Sequence, residues 1–241
     1  MKTVSLTTHF AFRASDDLHG HVDGFLTRQA AGSTRKEPET IEAIMQHLVA
    51  EVLDAYLTTT ANRVGLDRKG KRIIDTTTKT VNKAANFVMA RAVHKLDLDQ
   101  HRGIADYMAS LRLLHEGGAI SSVAFPVGDD LASHGRAVTE KVMDGGGAKG
   151  NRELLVFMNE LLDVGADYYL DQPLRIMKFG PVLRSVSTTS TSAIRKAVQF
   201  AIKELVPTLN KDQSVELATY LSELIQDHPV GDPTPLGRHA V

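Results

Sequence analysis

Apolar side chains recur along most of this chain at the three-and-four spacing of one helical face, and the places where that spacing breaks mark out its elements. Ile41, Ile44, Met45, Leu48, Val52 and Tyr56 form one stripe and predict a helix from about 39 to 61. Ile74, Val81, Ala85, Val88, Ala92 and Leu96 predict a second long helix over 73–96. Threonines at 76, 77, 78 and 80 lower its intrinsic propensity, so packing has to hold its first half. Asp97 with Gln100 three residues on reads as a capping box, opening a helix over 99–116 that carries Ile104, Tyr107, Met108, Leu111 and Leu114 and stops at Gly117-Gly118.

The same spacing returns further on. Asp129 or Asp130 caps a modest helix with Leu131, Val138 and Val142, and Gly145-Gly146-Gly147 after it reads as a flexible joint. Leu154, Leu155, Met158, Leu161, Leu162 and Tyr169 predict a helix over 151–170. Ile194, Ala197, Val198, Ala201, Ile202 and Leu205 predict another over 193–206, ended by Pro207. Asn210 with Gln213 caps a last helix over 211–227.

Between these stripes the pattern is less decisive. Val4, Leu6, Phe10 and Phe12 sit at even positions, the period of a short strand or of an extended arm, which could be exchanged between subunits. Ser15 reads as an N-cap with Asp16 and Asp17 in the first turn, opening a helix weakened by Gly20 and Gly24. Residues 119–126 are a short apolar run that fits either a buried strand or an extended linker, and from Asp171 to Ser192 the periodicity dissolves into prolines, glycine and hydroxyls. The expected architecture is all-α: a single domain over 1–241, a multi-helix bundle of about seven or eight helices, with an extended N-terminal arm at 1–14 and an irregular C-terminal tail at 229–241.

Charge and composition narrow the partners. The 28 Lys and Arg nearly balance the 29 Asp and Glu, so no global field favours nucleic acid or an anionic membrane. The chain has no cysteine, which removes disulfides, thiolate metal sites and cysteine nucleophiles. No stretch approaches the ~20 apolar residues of a membrane span, and the start lacks a signal peptide's apolar core, so a cytoplasmic location and no membrane partner are expected.

Candidate chemistry is sparse. Asp16, His19 and Asp23 share one face of the first helix with His21 beside them, and this set could hold a divalent metal, the one cofactor class these residues suit. The bland reading is a solvated polar face. His47, Glu51 and Asp54 share the polar side of the 39–61 helix, and His94, Asp97 and His101 form a third set that the cap at Asp97 divides. No Glu-x-x-His occurs, which speaks against a bundle di-metal site. Arg63, Arg68, Lys69, Lys71 and Arg72 read as a basic turn able to bind an anion such as phosphate, yet without interleaved aromatics it has no means of reading bases, and a nucleic-acid partner is not expected. Gly145 to Gly150 lacks the P-loop pattern, the hydroxyls of 185–192 lack a base, and Tyr168 and Tyr169 either line a pocket or close the core. The reading these features support is a non-enzymatic helical binding or regulatory protein, homo-oligomeric, recognising a protein partner or a small apolar or anionic ligand. A metal-dependent helical enzyme and a phosphate or nucleic-acid binder are the alternatives.

Overall fold

Every one of the long apolar stripes forms a helix in the computed structural model, which describes residues 6–115 and 120–229. The helical segments are α1 Asp16–Ala30, α2 Pro38–Leu53, α3 Thr60–Val64, α4 Arg68–Ala92, α5 Leu98–Ser110, α6 Asp129–Met143, α7 Gly147–Ala166, α8 Gln172–Met177, α9 Pro181–Leu205 and α10 Lys211–Leu224. A π-helical turn at Asp54–Thr59 joins α2 to α3, and a second at Asp167–Asp171 joins α7 to α8. With these junctions continuous, the described residues form about eight helical rods and a small four-stranded sheet, so the protein is mostly helical, in line with the expected bundle.

The caps follow the sequence. Ser15 Oγ accepts from the Leu18 amide, and reciprocal capping boxes join Asp97 to Gln100 and Asn210 to Gln213. The threonine-rich half of α4 is held by packing, with Thr77 buried against α9, while the Thr76 and Thr80 hydroxyls find acceptors in the Arg72 and Thr76 carbonyls, each at 2.8 Å.

The departures from expectation are concentrated where strands form. The strands β1 Leu6–Arg13, β2 Arg112–His115, β3 Ile120–Pro126 and β4 Ile225–Pro229 make an antiparallel sheet in the order β2-β3-β1-β4. Residues 6–13 are therefore not a free arm: β1 is hydrogen-bonded on both sides within its own chain. The helix expected over 99–116 stops at Ser110, since Arg112–His115 pairs with 120–123, and that pairing also makes the undecided 119–126 run a strand. The last helix likewise ends at Leu224, and 225–229 add to the free edge of β1. In each case the leucine spacing fits helix and strand alike, and a partner strand distant in sequence decides. Val4, Gly117-Gly118 and the tail beyond 229 lie outside the described residues.

Residues 171–192, expected to be irregular, are helical over most of their length. Pro181 sits at the first turn of α9, where its missing N–H is no loss, and the Thr188 and Thr189 hydroxyls donate to the Arg184 and Ser185 carbonyls at 2.9 and 3.0 Å. Small Ser187 and Ser190 are buried in the helix packing. The joint at Gly145–Gly147 is as expected: Gly145 has φ +99° and Gly147 φ +54°, values that favour glycine.

The sheet curls strongly. The rings of His115 and His228 are 5.1 Å apart although they lie on opposite edge strands, which in a flat four-stranded sheet would be separated by about 14 Å. Phe10, Phe12 and Phe125 leave one face and enter the helical core, and all three are buried.

Close packing makes one helical glycine diagnostic. A Cβ on Gly135 of α6 would lie 2.6 Å from the Phe157 ring and 2.9 Å from Ile225 Cδ1. Helix propensity alone would make Gly135→Ala stabilising by about 1 kcal/mol, but overpacking costs about 1–3 kcal/mol and Phe157 is only 1% exposed, leaving the ring little room to yield. The expected result is a net loss of stability in urea or thermal unfolding; a gain would show that this junction is loosely packed.

Candidate ligand pocket

An apolar pocket of about 180 Å³ lies where the sheet's phenylalanines meet the helices. Its wall takes Val52 from α2, Val81 and Ala85 from α4, Leu161 from α7, Ile194 from α9 and Leu221 from α10, over Phe10 and Phe125. No charged side chain lines it among the described residues, and the polar atoms on its lining side chains belong to Thr60, Tyr56 and Tyr169.

Both tyrosines stand on π-helical turns, Tyr56 on the first and Tyr169 on the second. Such wide turns are rare and often occur at functional sites, because the inserted residue redirects the side chains of the turn. Each turn is braced by another tyrosine: the Tyr220 hydroxyl donates to the Ala55 carbonyl at 2.8 Å, and the Tyr107 hydroxyl donates to the Tyr168 carbonyl at 3.1 Å. The Tyr56 and Tyr169 hydroxyls then meet each other at 3.3 Å. Burial pushes both phenols well above their ordinary pKa, so both are neutral. Phe10 packs against the Tyr56 ring and Phe125 against the Tyr169 ring, with centroids 5.4 and 5.5 Å apart.

The candidate metal residues are placed differently. Arg112 Nη2 donates to His19 Nδ1 and to Asp23 Oδ1, each at 3.2 Å, so a guanidinium already fills the space between those two groups. His21 points elsewhere, its ring 5.3 Å from that of His47, and Asp16 is exposed in the first turn of α1. Among the described residues no three His, Asp or Glu side chains are arranged to hold a metal ion. Of the second set, Glu51 accepts from Ser15 and Asp54 from Thr59. Of the third, Asp97 caps α5, His94 meets Glu42 at 3.2 Å and His101 is buried.

The basic residues do not form a turn. Asp67 caps α4, its carboxylate accepting from the Gly70 amide at 2.7 Å, and Arg68, Lys69, Lys71 and Arg72 follow as exposed residues of the first helical turns. Arg63 faces away from them, forming ion pairs with Glu216 and Glu223 and lying 4.8 Å from the Tyr220 ring centroid. A wider groove of about 680 Å³ opens beside this pair, lined in part by Glu51, Asp54 and Glu223. It is the larger hollow, but it is more open to solvent, and Glu51 and Glu223 are already bonded to Ser15 and Arg63.

Of the pocket's polar residues, the sequence offers Tyr169 as a pocket or core residue and places Tyr56 on an apolar stripe, but carries no sign that the two meet. The meeting depends on the π turns, and neither 54–59 nor 167–171 has a Pro or Gly to mark it.

Comparison with known proteins found no matching family model, no matching curated protein and no matching solved structure. No helix among the described residues is long and apolar enough to cross a membrane.

Three histidines gather on the curled sheet outside the pocket: His228 on β4 lies with its ring 5.7 Å from His9 on β1 and 5.1 Å from His115 on β2. Burial lowers the pKa of His9 and, together with the neighbouring imidazoles, that of His228, although Asp227 opposes the second shift. A folded-state pKa below the unfolded value near 6.5 means that the unfolded chain binds the extra protons. The stabilising contribution is complete above pH 6.5 and is lost as pH falls from there. Unfolding free energy is expected to decline between about pH 7 and 5, and His228→Gln to flatten that decline, as read by urea titrations at each pH; an unchanged slope would remove these histidines as its cause.

Proposed function

We propose that this protein is a non-enzymatic binding protein that takes a small, uncharged, mostly apolar ligand into the pocket between the sheet and the helices. The observation that carries the reading is the pocket itself: about 180 Å³, apolar almost throughout, with its few polar atoms gathered at a pair of tyrosines on two π-helical turns. Binding sites are characteristically concave and apolar with a few placed polar groups. An apolar cavity of about 150 Å³ is already large enough to hold benzene.

The charge-free lining favours an apolar ligand over an anionic one. An anion here would exchange its hydration for neutral hydroxyls and hydrocarbon, with no cation to pair with, and a buried unpaired charge is severely disfavoured. The exposed cations of the α4 start do not line this pocket.

Toluene is a suitable first probe, being small, uncharged and without a strong hydrogen-bonding group. At ten times its dissociation constant it should stabilise the fold by about 1.4 kcal/mol, raising Tm by about 3–6 °C for a chain of this length. Ala85→Leu and Ala166→Val each place extra carbon in the pocket and should reduce or abolish that shift. Absence of any shift in the wild-type protein, or a full shift in both filled variants, would overturn the reading.

A further inference from the structure

Hydrogen-bond bookkeeping at the two tyrosines goes a step further and rests on the pocket being the binding site. Each phenol has one proton to donate. The bond between Tyr56 and Tyr169 uses one of the two protons, whichever hydroxyl gives it, and neither hydroxyl has another partner among the described residues. The Tyr220, Tyr107 and Thr60 hydroxyls donate elsewhere, to Ala55, to Tyr168 and to Ala55 at 3.4 Å, and none is hydrogen-bonded to the pair. One O–H at the pocket wall is therefore left without an acceptor among the described residues. Its burial keeps it protonated and able to donate at neutral pH.

The bond between the pair is also long. At 3.3 Å it exceeds the usual O–H···O distance of about 2.7–2.8 Å, so it is weak and easily shared with a third oxygen. Both tyrosines are half-buried beside a wall that otherwise asks only for carbon, and a hydrogen bond from the spare hydroxyl to an acceptor there contributes about 0.5–1.5 kcal/mol. We propose that the pocket selects an uncharged, carbon-rich molecule of roughly one ring bearing a single hydrogen-bond acceptor, such as a ketone or ether oxygen, which takes the proton that the Tyr56–Tyr169 pair cannot use within itself.

Cyclohexanone and methylenecyclohexane separate this inference from the broader one. The two have nearly the same shape and differ in an oxygen against a CH₂ group. Their different costs of leaving water cancel when the ratio of their dissociation constants is compared between two proteins. Those proteins are the wild type and the double variant Tyr56→Phe/Tyr169→Phe, in which the rings are kept and both hydroxyls removed. In NMR-monitored titrations at pH 7 the wild type should favour the ketone by about tenfold more than the double variant does. Methylenecyclohexane should bind both proteins with similar affinity, showing that the pocket is intact. An unchanged ratio with both ligands bound would overturn the acceptor selection and leave the pocket reading standing. Failure of both ligands to bind the wild type would overturn both.

Discussion

The pocket depends on the two π-helical turns, and the turns depend on tyrosine hydroxyls supplied from elsewhere in the fold. Widening a helical turn shifts the regular pattern of amide-to-carbonyl bonds and leaves a carbonyl available to another donor. At the first turn the Ala55 carbonyl is taken by Tyr220 from α10, and at the second the Tyr168 carbonyl is taken by Tyr107 from α5. Both bracing tyrosines are buried, so loss of the Tyr107 hydroxyl would take the side-chain donor from the Tyr168 carbonyl, and loss of the Tyr220 hydroxyl would leave the Ala55 carbonyl only the long side-chain bond from Thr60. The braced residues are immediate neighbours of Tyr56 and Tyr169, which ties the direction of the pocket's polar groups to contacts made by α5 and α10.

The sheet supplies the second constraint. Phe10 and Phe125 are opposite one another in the β1/β3 pairing, and each packs on one of the pocket tyrosines. The strands come from the start, the middle and the end of the described chain, so the pocket floor is completed only when these segments pair. The curl that brings His115 to His228 turns the sheet's other face away from the helices and gives the chain two separate chemistries: a neutral, carbon-lined interior and a proton-sensitive cluster outside it.

Helices were legible in the sequence wherever one face buries a long stripe, and their starts were legible where Ser15, Asp97 and Asn210 act as caps. The strands were legible only in part: the alternation of Leu6, Phe10 and Phe12 and the run at 119–126 each admitted a strand, but β2 and β4 were hidden. Leu111 and Leu114 continue the spacing of α5, and Ile225 continues that of α10, so periodicity extended both helices into residues that pair as β2 and β4. The 171–192 region failed in the opposite direction: prolines and hydroxyls resemble a loop, but Pro181 falls at a helix start and the threonines bond back to the preceding turn. The candidate site was legible only in part. His19 and Asp23 do share a helix face, but Arg112, ninety residues away, occupies the space between them. Tyr56 and Tyr169 come together through backbone turns that leave no mark on composition.

Small side chains on the wall keep the pocket open. Ala85 and Ala166 face it from α4 and α7 at positions where a larger apolar residue would add carbon to the space, and at Gly165 a Cβ would already touch the Phe125 ring at 3.4 Å. An apolar space left unfilled forgoes dispersion contacts that a better-filled core would supply. A ligand that fills the space recovers much of the lost contact energy through dispersion with the wall. Its affinity and the stability of the folded chain are then two readings of the same interaction, linked by mass action. The unpaired tyrosine proton adds selectivity to that affinity: hydrocarbon packing determines which shapes enter, and one donor in a charge-free wall distinguishes among molecules of the same shape.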